Sequence, residues 1–238
     1  MILAVDSTSK SASVAVADGD GILYESFMNN GLTHSQTLGP MIEQALRQLG
    51  LSMRDMDAVA VTVGPGSFTG VRIGVCTVKG LAFPFGTPCV PFSTMEALAL
   101  SAGPFEGLIC PVLDARRGQY YNALFERTAD GTLTRLCEDR ALSHEELEAE
   151  MKNFKKKLLL VGDGAEMCYN KLSEKKEAFL ADTPVRFPRA GAMAAAAAGR
   201  LDTAVDGAAL AVRYLRLSQA ERERQERLKA DKQTQGGF

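Results

Sequence analysis

The sequence predicts an α/β protein assembled from two tandem copies of one β-β-β-α-β-α-β-α unit. Three features carry that prediction: hairpin-linked apolar runs open each half, amphipathic helices alternate with buried strands behind them, and the composition is ordinary for a globular chain of 238 residues. At ~150 residues per domain, this length holds one large domain or two small lobes. Hydrophobic residues make up 46% and charged residues 24%, which excludes disordered, collagen-like and coiled-coil classes. Lys plus Arg number 27 against 29 Asp plus Glu, a net charge of −2. That balance argues against gripping nucleic acid by overall charge and leaves room only for a local basic patch.

Residues 2–6 form an apolar run that ends on Asp6, and they read as a buried strand rather than a leader peptide. Residues 13–17 alternate, Asp18-Gly-Asp-Gly21 is turn chemistry, and 22–28 make the return strand. A helix is expected over 35–49, where Leu38, Met41, Ile42, Ala45, Leu46 and Leu49 step by three and four before Gly50 stops it. Residues 58–63 are apolar enough for a central parallel strand. They lead through Gly64-Pro-Gly-Ser-Phe-Thr-Gly70 into a helix over 71–83, then a short strand near 87–91 and a helix over 93–101.

The second half repeats the order without repeating the sequence. Strands are expected at 108–114, 119–126 and 132–137, with a helix after the capping box Ser143-His-Glu-Glu146. A strand at 158–161 and further helices follow, among them the alanine run 193–198. Three hairpin-linked strands followed by right-handed crossovers is the ribonuclease-H-like arrangement. Two in tandem is the layout of the actin, Hsp70 and sugar-kinase superfamily. The expected division is a first lobe at 1–102, a second lobe at 103–217, and a charged helix with a flexible tail at 218–238.

Chemistry-bearing sets are sparse. The five cysteines form no C-x-x-C pair and read as reduced thiols, and no apolar run approaches the ~20 residues of a membrane span. A cytoplasmic chain is expected. Only His34 and His144 are present, with no H-x-x-x-H or H-E-x-x-H, so a metal site of usual spacing is not expected. His34 opens the first long helix, where it either caps and packs or meets a ligand or partner. Gly66-Ser67-Phe68 does not fit a nucleophile elbow. Asp6, Ser7 and Thr8, with Gly64, Gly66 and Asp114, form a possible vestigial nucleotide site, or else Asp6 and Ser7 only bond the hairpin backbone. The basic clusters at 116–117, 155–157, 175–176 and 186–189 either meet RNA phosphates or are solvated faces.

Several motifs converge on one family. Residues 2–9 with Ser13-Val-Ala-Val16, His34-Ser35, and Val63-Gly-Pro-Gly-Ser-Phe-Thr-Gly-Val-Arg-Ile-Gly74 with Lys79-Gly-Leu-Ala82 resemble the bacterial TsaB (YeaZ) family. Leu113-Asp-Ala-Arg116, Gly118-Gln-Tyr-Tyr121 and Tyr214-Leu-Arg216 match it too. The resemblance implies a role in forming N6-threonylcarbamoyladenosine beside the tRNA anticodon, as a non-catalytic subunit. It implies pairing with a TsaD-type paralogue that transfers the threonylcarbamoyl group, a TsaE-type ATPase in the complex, and a homodimer when alone. Contact with tRNA would come through the complex and none with a membrane. No cofactor of its own is implied; ATP or ADP and the metal belong to the partners. The pairing surface carries over to the first-lobe helices at His34, Leu38, Met41, Ile42, Ala45, Leu46, Leu49, Val71, Arg72, Val75 and Lys79. The alternative is a small-molecule kinase or ATPase using Asp6 and the 7–11 turn.

Overall fold

The structure, a computed structural model, describes residues 1–19, 21–175 and 177–216. Five strands form the first sheet: β1 (Ile2–Asp6), β2 (Ala12–Asp18), β3 (Gly21–Met28), β4 (Ala58–Thr62) and β5 (Cys89–Phe92), in the order β3-β2-β1-β4-β5. The first three are antiparallel neighbours, whereas β4 and β5 run parallel to β1 because a helix returns the chain each time. The second sheet holds β6 (Gly107–Asp114), β7 (Gln119–Asn122), β8 (Phe125–Arg127), β9 (Leu133–Arg135), β10 (Arg140–Ser143), β11 (Leu158–Val161) and β12 (Ala178–Leu180). Its main path is β10-β7-β6-β11-β12. Set the β8–β9 hairpin aside, and the strand order of the first sheet recurs.

Two expectations fail in the second sheet. Residues 119–126 are not one strand: β7 pairs with the end of β6, β8 pairs with its start, and Ala123 and Leu124 lie between. Asn122 holds the break, its amide donating to the carbonyls of Pro111 and Ala123 at 2.9 and 3.0 Å. The third strand of the repeat is β10, not 132–137. As a half-buried edge strand of four residues, β10 has too little alternation to be read from sequence, and the same holds for β12.

The helices are α1 (His34–Leu49), α2 (Phe68–Ala82), α3 (Thr94–Ser101), α4 (His144–Met151), α5 (Ala165–Lys171) and α6 (Ala190–Ala198). Gly50 ends α1 in the left-handed region at φ 66°. Ser143 and Glu146 make the expected capping box on α4, each side chain accepting from the other's backbone N–H. The charged segment 218–238, Asp20 and Lys176 lie outside the described residues.

Strand alternation divides the core into layers. Leu3, Val5, Val14, Val16, Val59 and Val61 point to one face of the first sheet, which α1 and α2 cover. The opposite face is small, with Ala4, Ala15, Ala17, Ala58 and Ala60, and α6 lays Ala190, Met193, Ala194 and Ala197 against it. Small side chains on both partners let the helix sit close to the sheet. So α6, which follows the second sheet in the chain, packs on the first. Next to it, α3 buries Met95, Leu98 and Ala99 on the second sheet, so both helices lie between the sheets. The outer face of the second sheet is covered by α4 and α5 through Leu147, Ala165 and Cys168.

Glu25 on β3 anchors the start of α6. Its carboxylate accepts from Gly191 N at 2.9 Å and pairs with Arg189 at 3.0 Å, while the Arg189 guanidinium lies over Phe27. Glu25→Ala leaves these donors without their acceptor and should lower unfolding stability by roughly 1–3 kcal/mol in urea titration; an unchanged midpoint would refute the anchoring role.

Candidate functional site

The two lobes meet at a cleft of about 710 Å³, a size common for ligand sites. It opens at the carboxyl ends of the two central strands, β1 and β6. Its walls are the turn after β1 (Thr8, Ser9, Lys10), the starts of α1 (His34) and α2 (Gly66 to Gly70), and the turn after β6 (Asp114 to Arg117). Asp163 and Arg216 also line it.

The segment 64–74 is shaped by close approach. A Cβ on Gly66 or Gly70 would strike the carbonyl oxygens of Thr8 or Ser7, and one on Gly74 would meet the Ser7 hydroxyl. Gly64 sits at φ 111° with the Arg213 carbonyl against it. The glycines therefore seat α2 against the turn after β1. Ser7 donates to the Gly70 carbonyl at 2.9 Å, and Ser67 N donates to the Thr8 carbonyl at 2.8 Å. His34 Nε2 lies 2.8 Å from the Ser9 carbonyl, which makes that nitrogen the protonated donor and ties α1 to the same turn.

Of the residues expected in a nucleotide site, Thr8, Gly66 and Asp114 line the cleft, while Asp6, Ser7 and Gly64 do not. Asp6 is fully buried, and its Oδ1 accepts from Thr62 Oγ1 at 2.6 Å and Thr8 Oγ1 at 2.7 Å. Burial pushes its carboxyl above the usual carboxylate range, against the pull of those hydroxyls. The kinase alternative would therefore rest on an acid that does not line the cleft. The carboxylates that do reach the cleft are Asp114, which accepts from Arg116 N at 2.7 Å, and Asp163, which accepts from Asp114 N at 3.3 Å. Burial also raises Asp163. Sequence reading left Asp163 unassigned, although the Gly162-Asp-Gly164 turn after a strand marked its place. Among the described residues, no group of three or more His, Cys, Asp or Glu stands close enough to hold a metal ion.

Most of the expected pairing residues face the first-lobe core, whereas Arg72 is exposed and Lys79 partly so. Leu38, Met41, Ile42, Ala45, Val71 and Val75 are buried in the first-lobe core, and Leu46 and Leu49 pack against that core. A stripe of period three to four serves the sheet first. His34 turns into the cleft. The residues that α1 and α2 expose include Gly39, Pro40 and Glu43 on α1, and Arg72, Cys76 and Gly80 on α2, with Lys79 partly covered. Nothing lies within 4 Å of a Cβ built on Gly39 or Gly80.

The strap 205–216 joins the lobes. Val205 bridges Cys89, and Arg213 N donates to Val63 O at 2.7 Å. Tyr214 stacks on Phe68 at 4.8 Å and meets Arg72 Nε at 2.5 Å, and Arg216 donates to the second-lobe Ala115 carbonyl at 2.7 Å.

A family model described as TsaD, tRNA N6-adenosine threonylcarbamoyltransferase, matches residues 29–222. The chain is 29% identical over 222 residues to the tRNA threonylcarbamoyladenosine biosynthesis protein TsaB of Bacillus subtilis (strain 168), covering 92% of this chain and 96% of that one. It is 31% identical over 191 residues to the protein of that name from Escherichia coli (strain K12), covering 79% and 82%. In fold it matches YeaZ from Pseudomonas aeruginosa with a TM-score of 0.76 at 24% identity, over 90% of this chain and 99% of that one.

Asp6 gives the molecule a pH signature. Because its folded pKa lies above the unfolded value near ~3.9, its ionisation opposes folding as pH rises through the folded pKa. Asp6→Asn keeps an oxygen for Thr8 and Thr62 and removes the charge. Its stability relative to the parent should therefore rise between pH 4 and 8 in denaturant titrations; a constant difference across that range would contradict the shift.

Proposed function

The chain belongs to the TsaB (YeaZ) family, and we propose that it works in the cytoplasm as a non-catalytic subunit of tRNA threonylcarbamoyladenosine formation, pairing with and activating a TsaD-type transferase. The observation that carries this reading is the outward side of α1 and α2. Two helices lie side by side on the first sheet, and their exposed side has two glycines where another helix can come close. Glycine inside a helix costs about 1 kcal/mol relative to alanine. A close helix–helix contact gives a reason to keep it there.

The occupant follows from the shared body. A model described by the transferase matches most of this chain, so a TsaD-type partner would have helices equivalent to α1 and α2. Two such faces can meet about a pseudo-twofold axis, and two copies of this chain can do the same in a homodimer. In this reading the TsaE-type ATPase, the nucleotide and the metal belong to the partner side, and tRNA meets the assembled complex.

Gly80 separates pairing from folding. Gly80→Ala should raise the unfolding stability of the free chain by roughly 0.5–1 kcal/mol. Gly80→Arg should leave the fold intact and weaken pairing with the transferase more than tenfold in sedimentation velocity. The parent chain should raise the modification rate of the transferase on tRNA, and Gly80→Arg should not. Unchanged pairing by Gly80→Arg would refute the assigned face.

A further inference from the structure

We propose that the rim of the interlobe cleft, built from Lys10, Arg116, Arg117 and Arg216 and continued by Arg72 and Tyr214, is a phosphate-tracking surface for the tRNA. The inference rests on the pathway reading above and gives this chain its own contact with the nucleic acid. Four cations line the cleft against two carboxylates, Asp114 and Asp163, in a chain whose net charge is −2. The band is continuous. Arg72 contacts Tyr214, Tyr214 stacks on the cleft residue Phe68, and Arg216 reaches across to the Ala115 carbonyl beside Arg116.

The turn after β6 is the strongest sign. Arg116 and Arg117 sit at φ 65° and 56°, in the left-handed region, followed by Gly118 at φ 73°. That conformation suits glycine and is uncommon for a long side chain. The hairpin turn from β6 to β7 calls for left-handed residues, and it carries two arginines where Asn or Gly is the common choice. Several of the other basic side chains are paired with acids: Arg186 with Glu166, Arg189 with Glu25 and Lys156 with Glu126. Lys155 shares its hollow with Glu148, Glu174 and Glu177. Arg116 has only a loose pair with Asp114 at 3.5 Å, and its side chain is 83% exposed.

The arrangement suits a polymer better than a small polyphosphate. The cations stand along an exposed rim instead of converging on one buried point. The Asp114 and Asp163 carboxylates lie among them and would repel a compact cluster of phosphates. A phosphodiester strand running over the rim touches the arginines in succession.

The test is fluorescence anisotropy with the full chain and a labelled, unmodified tRNA transcript at 50–200 mM salt. Arg116→Glu with Arg117→Glu should weaken binding at least tenfold at 100 mM and lower the salt slope by roughly 1.5, the value for two lost phosphate contacts. Arg116→Gly with Arg117→Gly relaxes the backbone as it removes the charge, so affinity should fall while thermal stability holds or rises. Lys155→Glu with Lys156→Glu should leave affinity within twofold. Absence of binding by the parent chain, an equal loss from the lysine pair, or a loss of stability in the glycine pair overturns the proposal. So does an arginine-dependent binding of ADP or pyrophosphate that displaces the RNA, which would make the cleft a small-anion site. Pairing with the transferase, scored by sedimentation on the same variants, should be unchanged. Lost RNA binding with intact pairing in the parent would sink this inference alone, and lost pairing with intact RNA binding would sink the earlier one.

Discussion

Ser7 donates to the Gly70 carbonyl, and Ser67 N donates to the Thr8 carbonyl, across an approach so close that a methyl group at Gly66 or Gly70 cannot fit. This contact between the turn after β1 and the start of α2 governs the geometry of both surfaces. It bears on the cleft, because Thr8 and Gly66 both line it. It also fixes the roll of α2: with Gly70 and Gly74 turned toward the turn, Val71, Val75 and Val78 face the sheet and Gly80 faces outward. The strap adds a second hold, since Arg213 bonds Val63 at the base of the same loop while Arg216 bonds the other lobe.

Beside this contact, the side chains at the end of β1 bond mainly within the first lobe. Asp6 is buried beneath Thr8 and Thr62, which donate to it, and the Ser7 hydroxyl is committed to Gly70. Both hydroxyls bond Asp6 Oδ1, its Oδ2 is buried without a hydrogen-bond partner, and the residue is not among those that line the cleft. Charge in the cleft instead comes from the rim arginines and from the second-lobe carboxylates. The first lobe supplies shape to the cleft; the second supplies most of its electrostatics.

Much of this was legible from residues alone. The two-lobe order followed from hairpin chemistry and periodicity, and the glycines at 64–74 announced close approach before any partner for them was known. The stripe on α1 is legible in the sequence, and in the structure most of it meets the sheet. Periodicity finds which residues share a face, but it does not say whether that face meets a sheet or a neighbour, and the apolar side of a helix on a sheet meets the sheet. The strand at 140–143 escaped because an edge strand of four half-buried residues needs no alternation. The packing of α6 against the first sheet escaped for a different reason. An alanine run is apolar on every side, so its sequence carries no direction, and only the small face of the sheet and the Glu25 anchor decide where it docks.

Both proposed surfaces use α2, and that sharing has a consequence. Phe68 and Ile73 belong to the cleft wall, whereas Gly80 lies on the outward face near the helix's end. The 12 helical steps from Phe68 to Gly80 span about 18 Å at 1.5 Å each. A helix this short, seated on a sheet along its length, does not bend easily, so a partner on one end and a nucleic-acid strand on the other would stand at a fixed separation. The strap strengthens this, because Tyr214 grips Phe68 and Arg72 at the cleft end while Val205 grips Cys89 on β5, the strand to which the chain returns after α2. A body of this build needs no reacting group to matter in a transferase complex. Rigidity between two contacts is enough to present one component to the other in a constant pose, and that is what orientation contributes to a bimolecular step.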